Sequence, residues 1–302
     1  MKKYFIGSSH LSSSRLMVGT MRIAGDGSTQ AINHGKKLLL TAIDNGINHF
    51  DFADIYGKGM SESIMGDVLK DSPHLRRELI FTSKCGVKKA EGSRPPRYDL
   101  SKLHIIKSVE ASLKRLNTSY LDMLLLHRPD FLMNPSEITE TFDTLFHSGK
   151  VNHFGVSNFS ASQVNMLQSK INFPIMANQV EINLHRIDAL TDGVLDQCQA
   201  QNISPQAWCP LGGVAYSAWG NTFAAADELR IEKELKYQAE KYRTEESIIA
   251  LAWLLKHPAT IFPIIGSTNP ERIIKALEAL EIPYKSDDWY RLLEARNGFP
   301  VA

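Results

Sequence analysis

The feature that most constrains the fold is a regular alternation of short apolar runs with longer amphipathic stretches. Short apolar runs bounded by turn residues predict buried strands, and apolar residues three or four positions apart predict the buried face of a helix. The pattern predicts strands at residues 16–20, 47–51, 79–84, 122–126, 152–156, 175–179, 204–208 and 261–264, with helices at 34–45, 100–116, 161–170, 189–200 and 245–256.

Eight strand–helix units in 302 residues predict an α/β fold of the (β/α)8 TIM-barrel type. A doubly wound sheet is the alternative, but the chain contains neither the GxGxxG nor the GxxxxGK[ST] glycine pattern. Thr244 is predicted to cap the helix before Ile248, and Asn269 to cap a helix that begins at Pro270. Because no linker or low-complexity tract divides the chain, residues 1–302 are predicted to form a single domain.

Charge and composition argue against several classes of function. Lys and Arg number 34 against 33 Asp and Glu, so the chain lacks the basic excess typical of nucleic-acid binding. The N-terminal segment lacks the apolar core of a secretory signal, and no apolar stretch is suited to span a membrane. Three cysteines without a CxxC pair are typical of a reducing compartment. We therefore expect a cytoplasmic protein that binds neither nucleic acid nor membranes.

Four reactive side chains fall at or just beyond the ends of three consecutive predicted strands. Asp51 ends the second strand, Tyr56 follows it by five residues, Lys84 ends the third strand and His127 ends the fourth. Since the carboxyl ends of barrel strands meet at one mouth, these residues are predicted to lie side by side. Each residue alone has an ordinary structural explanation, such as a cap, a packed ring or a solvated charge, so the prediction depends on their combination.

The combination suits proton donation to a carbonyl group. A tyrosine hydroxyl is a poor acid at neutral pH, and a nearby lysine ammonium is expected to lower its pKa. A carboxylate beside that lysine keeps it charged, and a histidine can orient a carbonyl oxygen by hydrogen bonding. Protein side chains carry no hydride, so a reduction at this site needs a cofactor.

In order and spacing, Asp51, Tyr56, Lys84 and His127 resemble the catalytic tetrad of the aldo-keto reductases. The resemblance extends over nearly the whole chain, and the residues at 21–23 and 266–270 are most similar to the bacterial YdhF-like reductases. It implies NADPH-dependent reduction of an aldehyde or ketone to an alcohol, with Tyr56 as the proton donor. It also implies that Lys84 and Asp51 tune Tyr56 and that His127 orients the substrate carbonyl.

The same resemblance implies a set of NADPH-binding residues. Trp208 would stack on the nicotinamide ring, and Arg272 would bind the 2′-phosphate, to which a guanidinium is well suited. Where relatives often place an acidic residue and an Asn against the adenine, this chain has Lys275 and Ala276, so its adenine contacts are expected to differ. The implied residues are Gly19, Thr20, Met21, Ser157, Asn158, Gln179, Trp208, Pro210, Leu211, Gly212, Gly266, Ser267, Thr268, Asn269 and Arg272.

Two other functions stay open at this point. Some relatives of this fold bind NADPH as regulatory subunits or redox sensors with little turnover, and Lys84 could instead form a Schiff base with a carbonyl substrate. No histidines have metal-ligand spacing, so no metal is predicted, and a monomer is the simplest expectation. Residues 86–98 and 213–226 are predicted to shape the substrate entrance, the latter within a charge-free stretch, 197–226, predicted to be a covering loop.

Overall fold

The computed structural model describes residues 2–212 and 225–301. Eight parallel strands form a closed barrel, which confirms the predicted (β/α)8 TIM-barrel fold. The strands are β1 Lys3–Phe5, β2 Ser12–Ser14, β3 Met17–Gly19, β4 His49–Asp51, β5 Ile80–Cys85, β6 Val87–Lys88, β7 Arg97–Tyr98, β8 Leu121–Leu126, β9 Val151–Ser157, β10 Ile175–Glu181, β11 Ser204–Trp208 and β12 Phe262–Ile265.

The barrel strands follow one another in chain order. From β3 they run through β4, β5 and β8 to β12, which pairs back with β3 to close the barrel. Gly19 lies opposite Asp51 in the β3–β4 register, and Lys84 lies opposite Leu125 in the β5–β8 register. The carboxyl ends of all eight strands therefore meet at one rim, where active sites of this fold lie.

The helices cover the outside of the barrel with their apolar faces. Helix α3, for example, buries Ile105, Val109 and Leu116 against the core. Two short antiparallel hairpins, β1–β2 and β6–β7, stand outside the barrel order. The helices are α1 Thr29–Asp44, α2 Met60–Asp71, α3 Lys102–Leu116, α4 Pro135–His147, α5 Ala161–Gln168, α6 Val194–Gln201, α7 Ala225–Tyr242, α8 Glu246–Lys256, α9 Pro270–Ala276 and α10 Ser286–Asn297.

The β1–β2 hairpin covers the amino-terminal end of the barrel. The backbone amide of Ser14 donates to Asn48 Oδ1 at 2.7 Å, and the amide of Gly7 donates to Ser204 Oγ at 2.8 Å. Ile6, which follows β1, is fully buried in a cluster with Met17 and Phe262. This apolar cluster fills the amino-terminal end of the barrel. Polar side chains are grouped at the opposite, carboxyl-terminal rim.

Three predicted helix starts differ from the structure. Helix α1 begins at Thr29 and not at residue 34, because the Ser28 side chain caps it by accepting from the Ala31 amide. Thr244 does not cap α8: its amide donates to the Ala239 carbonyl after Arg243 takes a φ of +56°. That pattern is a Schellman motif, so Thr244 completes the end of α7 rather than beginning α8. The predicted helix at 189–200 is also wrong in its first part, because Gly193 has a φ of +86° and α6 begins only after it. The predicted cap at Asn269 is confirmed by its Oδ1, which accepts from the Glu271 amide.

The charge-free stretch at 197–226 is not a loop over its whole length, because it contains the end of α6 and all of β11. Residues 213–224, which were predicted to shape the substrate entrance, lie outside the described residues. The other predicted entrance segment, 86–98, contains the β6–β7 hairpin. Among the helices of the described ranges, none is long and apolar enough to cross a membrane.

His49 is a fully buried histidine at the start of β4. Its ring nitrogens lie 2.9 Å from Ser13 Oγ and 2.7 Å from Thr82 Oγ1, so it joins the hairpin to the barrel. Burial, helped by the Lys84 ammonium, lowers the pKa of His49 to about 3. An unfolded histidine has a pKa near 6.5. Between about pH 3 and pH 6.5 the unfolded chain therefore binds a proton that folded His49 does not bind, so acidification in this range lowers the free energy of unfolding.

We expect this histidine to make the fold sensitive to mild acid. Between pH 6.5 and pH 5 it should remove up to about 2 kcal/mol from the free energy of unfolding. Urea unfolding of the wild type and His49→Gln as a function of pH measures this contribution. The variant is expected to be less stable at pH 7 but to lose less stability on acidification, and parallel pH curves would contradict the assignment.

Candidate active site

A buried ion pair lies at the carboxyl-terminal rim of the barrel. Lys84 Nζ is 2.7 Å from Asp51 Oδ2, and these side chains are 0% and 4% exposed. The same ammonium donates to the carbonyl oxygen of Phe52 at 2.8 Å and lies 3.3 Å from Tyr56 Oη. Adjacent strands β4 and β5 supply the two charges, so the barrel register itself forms the pair.

Tyr56 reaches this pair through a tight turn after β4. It begins a short 3-10 helix, Tyr56–Gly59, in which Gly57, Lys58 and Gly59 all have positive φ angles. A Cβ at Gly57 would lie 3.0 Å from the Ala24 Cβ, so glycine suits both the space and the backbone angle. The turn therefore fixes the tyrosine ring instead of leaving it on an open loop.

The surroundings of Tyr56 keep its hydroxyl protonated. Burial raises the pKa of Tyr56 above its ordinary value, the Lys84 ammonium opposes that rise, and the Asp51 carboxylate adds to it. The Lys84 ammonium lowers the tyrosine pKa, as the sequence predicted, but burial outweighs this effect and the net shift is upward. The reason is that a phenolate would lose its water at this half-buried position and would face the Asp51 charge.

Lys84 and His127 have opposite charge states at neutral pH. Burial acts to lower the pKa of Lys84, but Asp51 and Tyr56 raise it to above its ordinary value. Burial, with the charges of Lys84 and Arg128, holds the pKa of His127 well below its usual range. The site thus combines a lysine cation with a neutral imidazole, which can donate or accept a hydrogen bond.

His127 stands beside Tyr56 at the end of β8. Its ring lies edge-on to the tyrosine ring, with centroids 5.9 Å apart and an interplanar angle of 83°. Its amide donates to the Cys85 carbonyl at 2.9 Å, which anchors it to β5. His127 Nδ1 is buried without a hydrogen-bond partner in the described part of the chain. The structure therefore brings all four predicted tetrad residues together.

Gln179 links Asp51 to the far side of the barrel. Its Nε2 donates to Asp51 Oδ1 at 2.9 Å and lies 3.1 Å from Gln206 Oε1. Its carbonyl oxygen accepts from Ser157 Oγ at 2.8 Å. Gln179 was predicted only as a cofactor contact, but it also holds the carboxylate that pairs with Lys84. The sequence analysis missed this second role, and it did not identify Gln206.

Asn158 connects the predicted nicotinamide residues to one another. It follows β9 with a φ of +61°. Its Nδ2 donates to Ser157 Oγ at 2.8 Å and to the His127 carbonyl at 3.3 Å, and its Oδ1 accepts from Trp208 Nε1 at 3.0 Å. The Trp208 ring is therefore fixed against the same rim, with the Arg128 guanidinium 5.7 Å from its centre.

The first predicted cofactor segment lies beside Asp51. Gly19 ends β3, and the fully buried Thr20 hydroxyl donates to the Asp51 carbonyl at 2.8 Å. The Thr20 carbonyl accepts from Ser61 Oγ at 2.8 Å, whereas Met21 is 41% exposed. The Thr20 side chain thus has a structural role, and Met21 is the side chain that this segment presents to solvent.

The segment after Trp208 forms a tight turn. Pro210 is buried, Leu211 is 42% exposed, and Gly212 has a φ of +62°. A Cβ at Gly212 would lie 2.5 Å from His185 Nδ1. Both this lack of space and the positive φ angle therefore favour glycine at this position. This turn stands at the rim directly after β11.

The predicted phosphate-binding residues follow β12. Gly266 accepts a hydrogen bond from Arg22 Nη2 through its carbonyl, and the Thr268 carbonyl lies 2.6 Å from His34 Nε2. Ser267 Oγ accepts from the Asn269 amide at 3.1 Å. Arg22 and His34 join this segment to the neighbouring elements that follow β3, and the sequence analysis missed both.

Arg272 lies one turn into α9. It is exposed and forms no ion pair within the described ranges. Lys275, in contrast, pairs with Glu278 at 2.9 Å, and Ala276 is buried in the core. Arg272 therefore offers an exposed guanidinium with no ion pair in the described ranges, whereas Lys275 is paired and Ala276 is buried.

Sequence analysis missed a buried network behind the tetrad. Glu62 on α2 is fully buried, accepts from Ser83 Oγ at 2.6 Å and pairs with Arg115 Nε at 2.6 Å. Burial and the Glu62 charge raise the pKa of nearby Asp54 to about 6. Because Ser83 precedes Lys84, this network supports the strand that carries the cation. An acidic residue on the apolar face of 60–71 is the sequence feature that could have indicated it.

Comparisons with known proteins identify the family of this chain. A family model described as the Aldo/keto reductase family matches residues 15–297. The chain is 38% identical over 301 residues to 6-dehydroglucose reductase of Agrobacterium fabrum, covering 98% of both chains. It is 40% identical over 262 residues to oxidoreductase YdhF of Escherichia coli, covering 86% of both. The solved structure of the thermostable aldo-keto reductase Tm1743 matches with a TM-score of 0.84 at 26% identity, over 98% of this chain and 100% of that one.

The chain therefore belongs to the aldo/keto reductase family and is an oxidoreductase of that family. The resemblance stated from the sequence, including that to YdhF, is confirmed. Members of the family generally use NAD(P)H and act on small-molecule carbonyls. Within the described residues no group of three His, Cys, Asp or Glu side chains is placed to hold a metal ion, and the absence of a metal stays a prediction.

Removing the lysine charge should destabilise the protein. We expect Lys84→Met to lower the free energy of unfolding by about 3–5 kcal/mol, because it leaves the Asp51 carboxylate buried without its cation. The double variant Asp51→Asn/Lys84→Met removes both charges and should be more stable than Lys84→Met alone. Urea unfolding of Lys84→Met, of Asp51→Asn and of the double variant measures the three losses of stability. Strictly additive losses would show that the two charges do not depend on each other.

Proposed function

We propose that this protein is an NADPH-dependent carbonyl reductase that converts an aldehyde or ketone into an alcohol. The observation that carries the proposal is the hydrogen-bonded chain from Asp51 through Lys84 to the Tyr56 hydroxyl, with the His127 ring beside it. Proton donor, cation and carbonyl-orienting group stand at the mouth where barrel enzymes bind their substrates.

Arg272 supports the choice of NADPH over NADH. Its exposed guanidinium forms no ion pair within the described residues and can bind the 2′-phosphate in a bidentate manner. Ser267 adds a hydroxyl beside it. Ser157, Asn158 and Gln179 would bind the carboxamide, and the fixed Trp208 ring would stack on the nicotinamide. Gly19, Thr20, Met21, Pro210, Leu211, Gly212, Gly266, Thr268 and Asn269 complete the proposed site.

The chain's own residues would carry the proton transfer. When bound, the cofactor supplies the electron pair and hydrogen that reduce the carbonyl carbon. The neutral His127 donates a hydrogen bond that orients the carbonyl oxygen. Tyr56 gives its proton to that oxygen as negative charge develops on it, and Lys84 stabilises the resulting phenolate. Asp51 keeps Lys84 charged and in place, and solvent returns the proton to Tyr56.

The geometry argues against a Schiff-base aldolase. A nucleophilic lysine needs a lowered pKa and a free amine. Lys84 instead has a raised pKa, and its buried ammonium has three polar neighbours, Asp51, Phe52 and Tyr56. A regulatory subunit or redox sensor with little turnover is also disfavoured, because the arrangement keeps every group that turnover requires.

Similarity over 98% of the chain to a 6-dehydroglucose reductase makes a sugar aldehyde a natural member of any substrate panel. A cytoplasmic location, a monomeric state and a single domain over residues 1–302 stay predictions. The same holds for the absence of nucleic-acid and membrane partners.

Loss of the Tyr56 hydroxyl tests the chemistry. We expect Tyr56→Phe to reduce kcat for carbonyl reduction by about a hundredfold to ten-thousandfold, the usual contribution of a positioned acid. Steady-state rates of NADPH oxidation with simple and sugar aldehydes measure the effect, and tryptophan quenching checks that NADPH still binds. Tyr290→Phe, an exposed position on α10, is the matched control. Full activity of Tyr56→Phe would remove the proposed mechanism.

Removal of the Arg272 guanidinium tests the cofactor. We expect Arg272→Leu to weaken NADPH binding by about tenfold to a hundredfold, since a charge-assisted contact to phosphate is lost. NADH binding should stay unchanged, because NADH has no 2′-phosphate. Titrations followed by tryptophan fluorescence give both dissociation constants. Arg77→Leu, another exposed arginine, serves as control, and equal losses for NADPH and NADH would contradict a 2′-phosphate contact.

A further inference from the structure

A cavity lies at the amino-terminal end of the barrel, opposite the rim where Asp51, Tyr56, Lys84 and His127 meet. Its volume is about 320 Å³. It opens between the β1–β2 hairpin, the end of α8 and the segment 279–284. Leu255 and Leu280 contribute apolar walls, and Tyr4, Arg15, Lys256 and Tyr284 contribute polar ones.

Arg15 is a buried cation that forms no ion pair in the described part of the chain. It is 6% exposed, and its guanidinium lies 5.0 Å from the centre of the Tyr4 ring and 5.3 Å from that of Phe262. One Nη2 contact to the Leu255 carbonyl, at 3.5 Å, is long, and Nε has no hydrogen-bond partner within the described chain. Burial lowers the pKa of Arg15 to about 10, so it stays charged at neutral pH.

Unpaired buried donors and charges are costly, so this one requires an explanation. The two aromatic rings offset part of the cost by cation–π attraction. Two other cations lie nearby: Lys256 lines the cavity, and Lys2 Nζ lies 5.1 Å from the Tyr4 ring centre. No Asp or Glu is among the described lining residues, and the sequence at 213–224 contains none. The cavity therefore combines positive charge with apolar walls.

We propose that this cavity binds a small organic carboxylate with an apolar body. The carboxylate would accept from the Arg15 guanidinium that lines the cavity and sit within reach of Lys256, and the body would pack against Leu255 and Leu280. A guanidinium matches a planar carboxylate geometrically. The apolar walls favour such a molecule over a fully hydrated inorganic anion.

Benzoate is the probe for this site, titrated into the full chain by calorimetry. We expect saturable binding that Arg15→Met weakens by about tenfold or more, since a charge-assisted contact is lost. Leu280→Trp fills the cavity and should abolish binding without touching Arg15, which keeps the test informative if Arg15→Met folds poorly. Arg77→Met is the matched exposed control. His127→Ala should leave the affinity unchanged, because it alters only the opposite rim.

Several outcomes would overturn the proposal. One is the absence of saturable benzoate binding to the wild type. Another is binding that survives Leu280→Trp but is lost in His127→Ala, which would assign the benzoate to the tetrad rim. Equal affinity for neutral benzyl alcohol would remove the role of Arg15. Binding of inorganic phosphate without binding of benzoate would show a plain anion site.

Discussion

The structure of the rim depends on one interaction, the buried ion pair between Lys84 and Asp51. An unpaired charge at this depth would cost several kcal/mol, so each must be fully satisfied. Lys84 uses Asp51, the Phe52 carbonyl and the Tyr56 hydroxyl, and Asp51 uses Lys84 and Gln179. Asp51 and Gln179 are 128 residues apart in the chain. Only a closed barrel brings these groups together, so the fold and the ion pair stabilise each other.

Burial also sets the charge states that the proposed chemistry needs. It keeps Tyr56 protonated and His127 neutral, whereas the Asp51 carboxylate overcomes its effect on Lys84. The proposed proton donor therefore holds its proton before reaction, and the lysine is positioned to stabilise the phenolate that forms afterwards. At this low-dielectric rim Tyr56 and His127 stay neutral, whereas Lys84 stays charged, because only the lysine has an opposite charge in direct contact.

Much of this was predictable from the sequence, and the failures have physical causes. The eight barrel strands were located because buried parallel strands are continuous apolar runs. The tetrad followed from the common direction of strand ends. Long-range contacts were not accessible: the Glu62–Arg115 pair joins residues 53 positions apart and lies behind a helix that was not predicted. Thr244 was assigned to the wrong helix because one Thr is compatible with an N-cap and with a Schellman end.

Each end of the barrel contains a buried cation, but the groups that surround the cation differ. At the carboxyl-terminal rim, Lys84 has a carboxylate in contact, and that carboxylate is itself held by Gln179. At the amino-terminal end, the neighbours of the Arg15 guanidinium within the described residues are two aromatic rings, one carbonyl oxygen at long distance and an open cavity. Hydrophobic residues of similar volume would fill such a position without the desolvation penalty of an arginine. Arg15 borders an open cavity and has no acidic partner within the described residues. An anion that binds in this cavity would supply the missing partner.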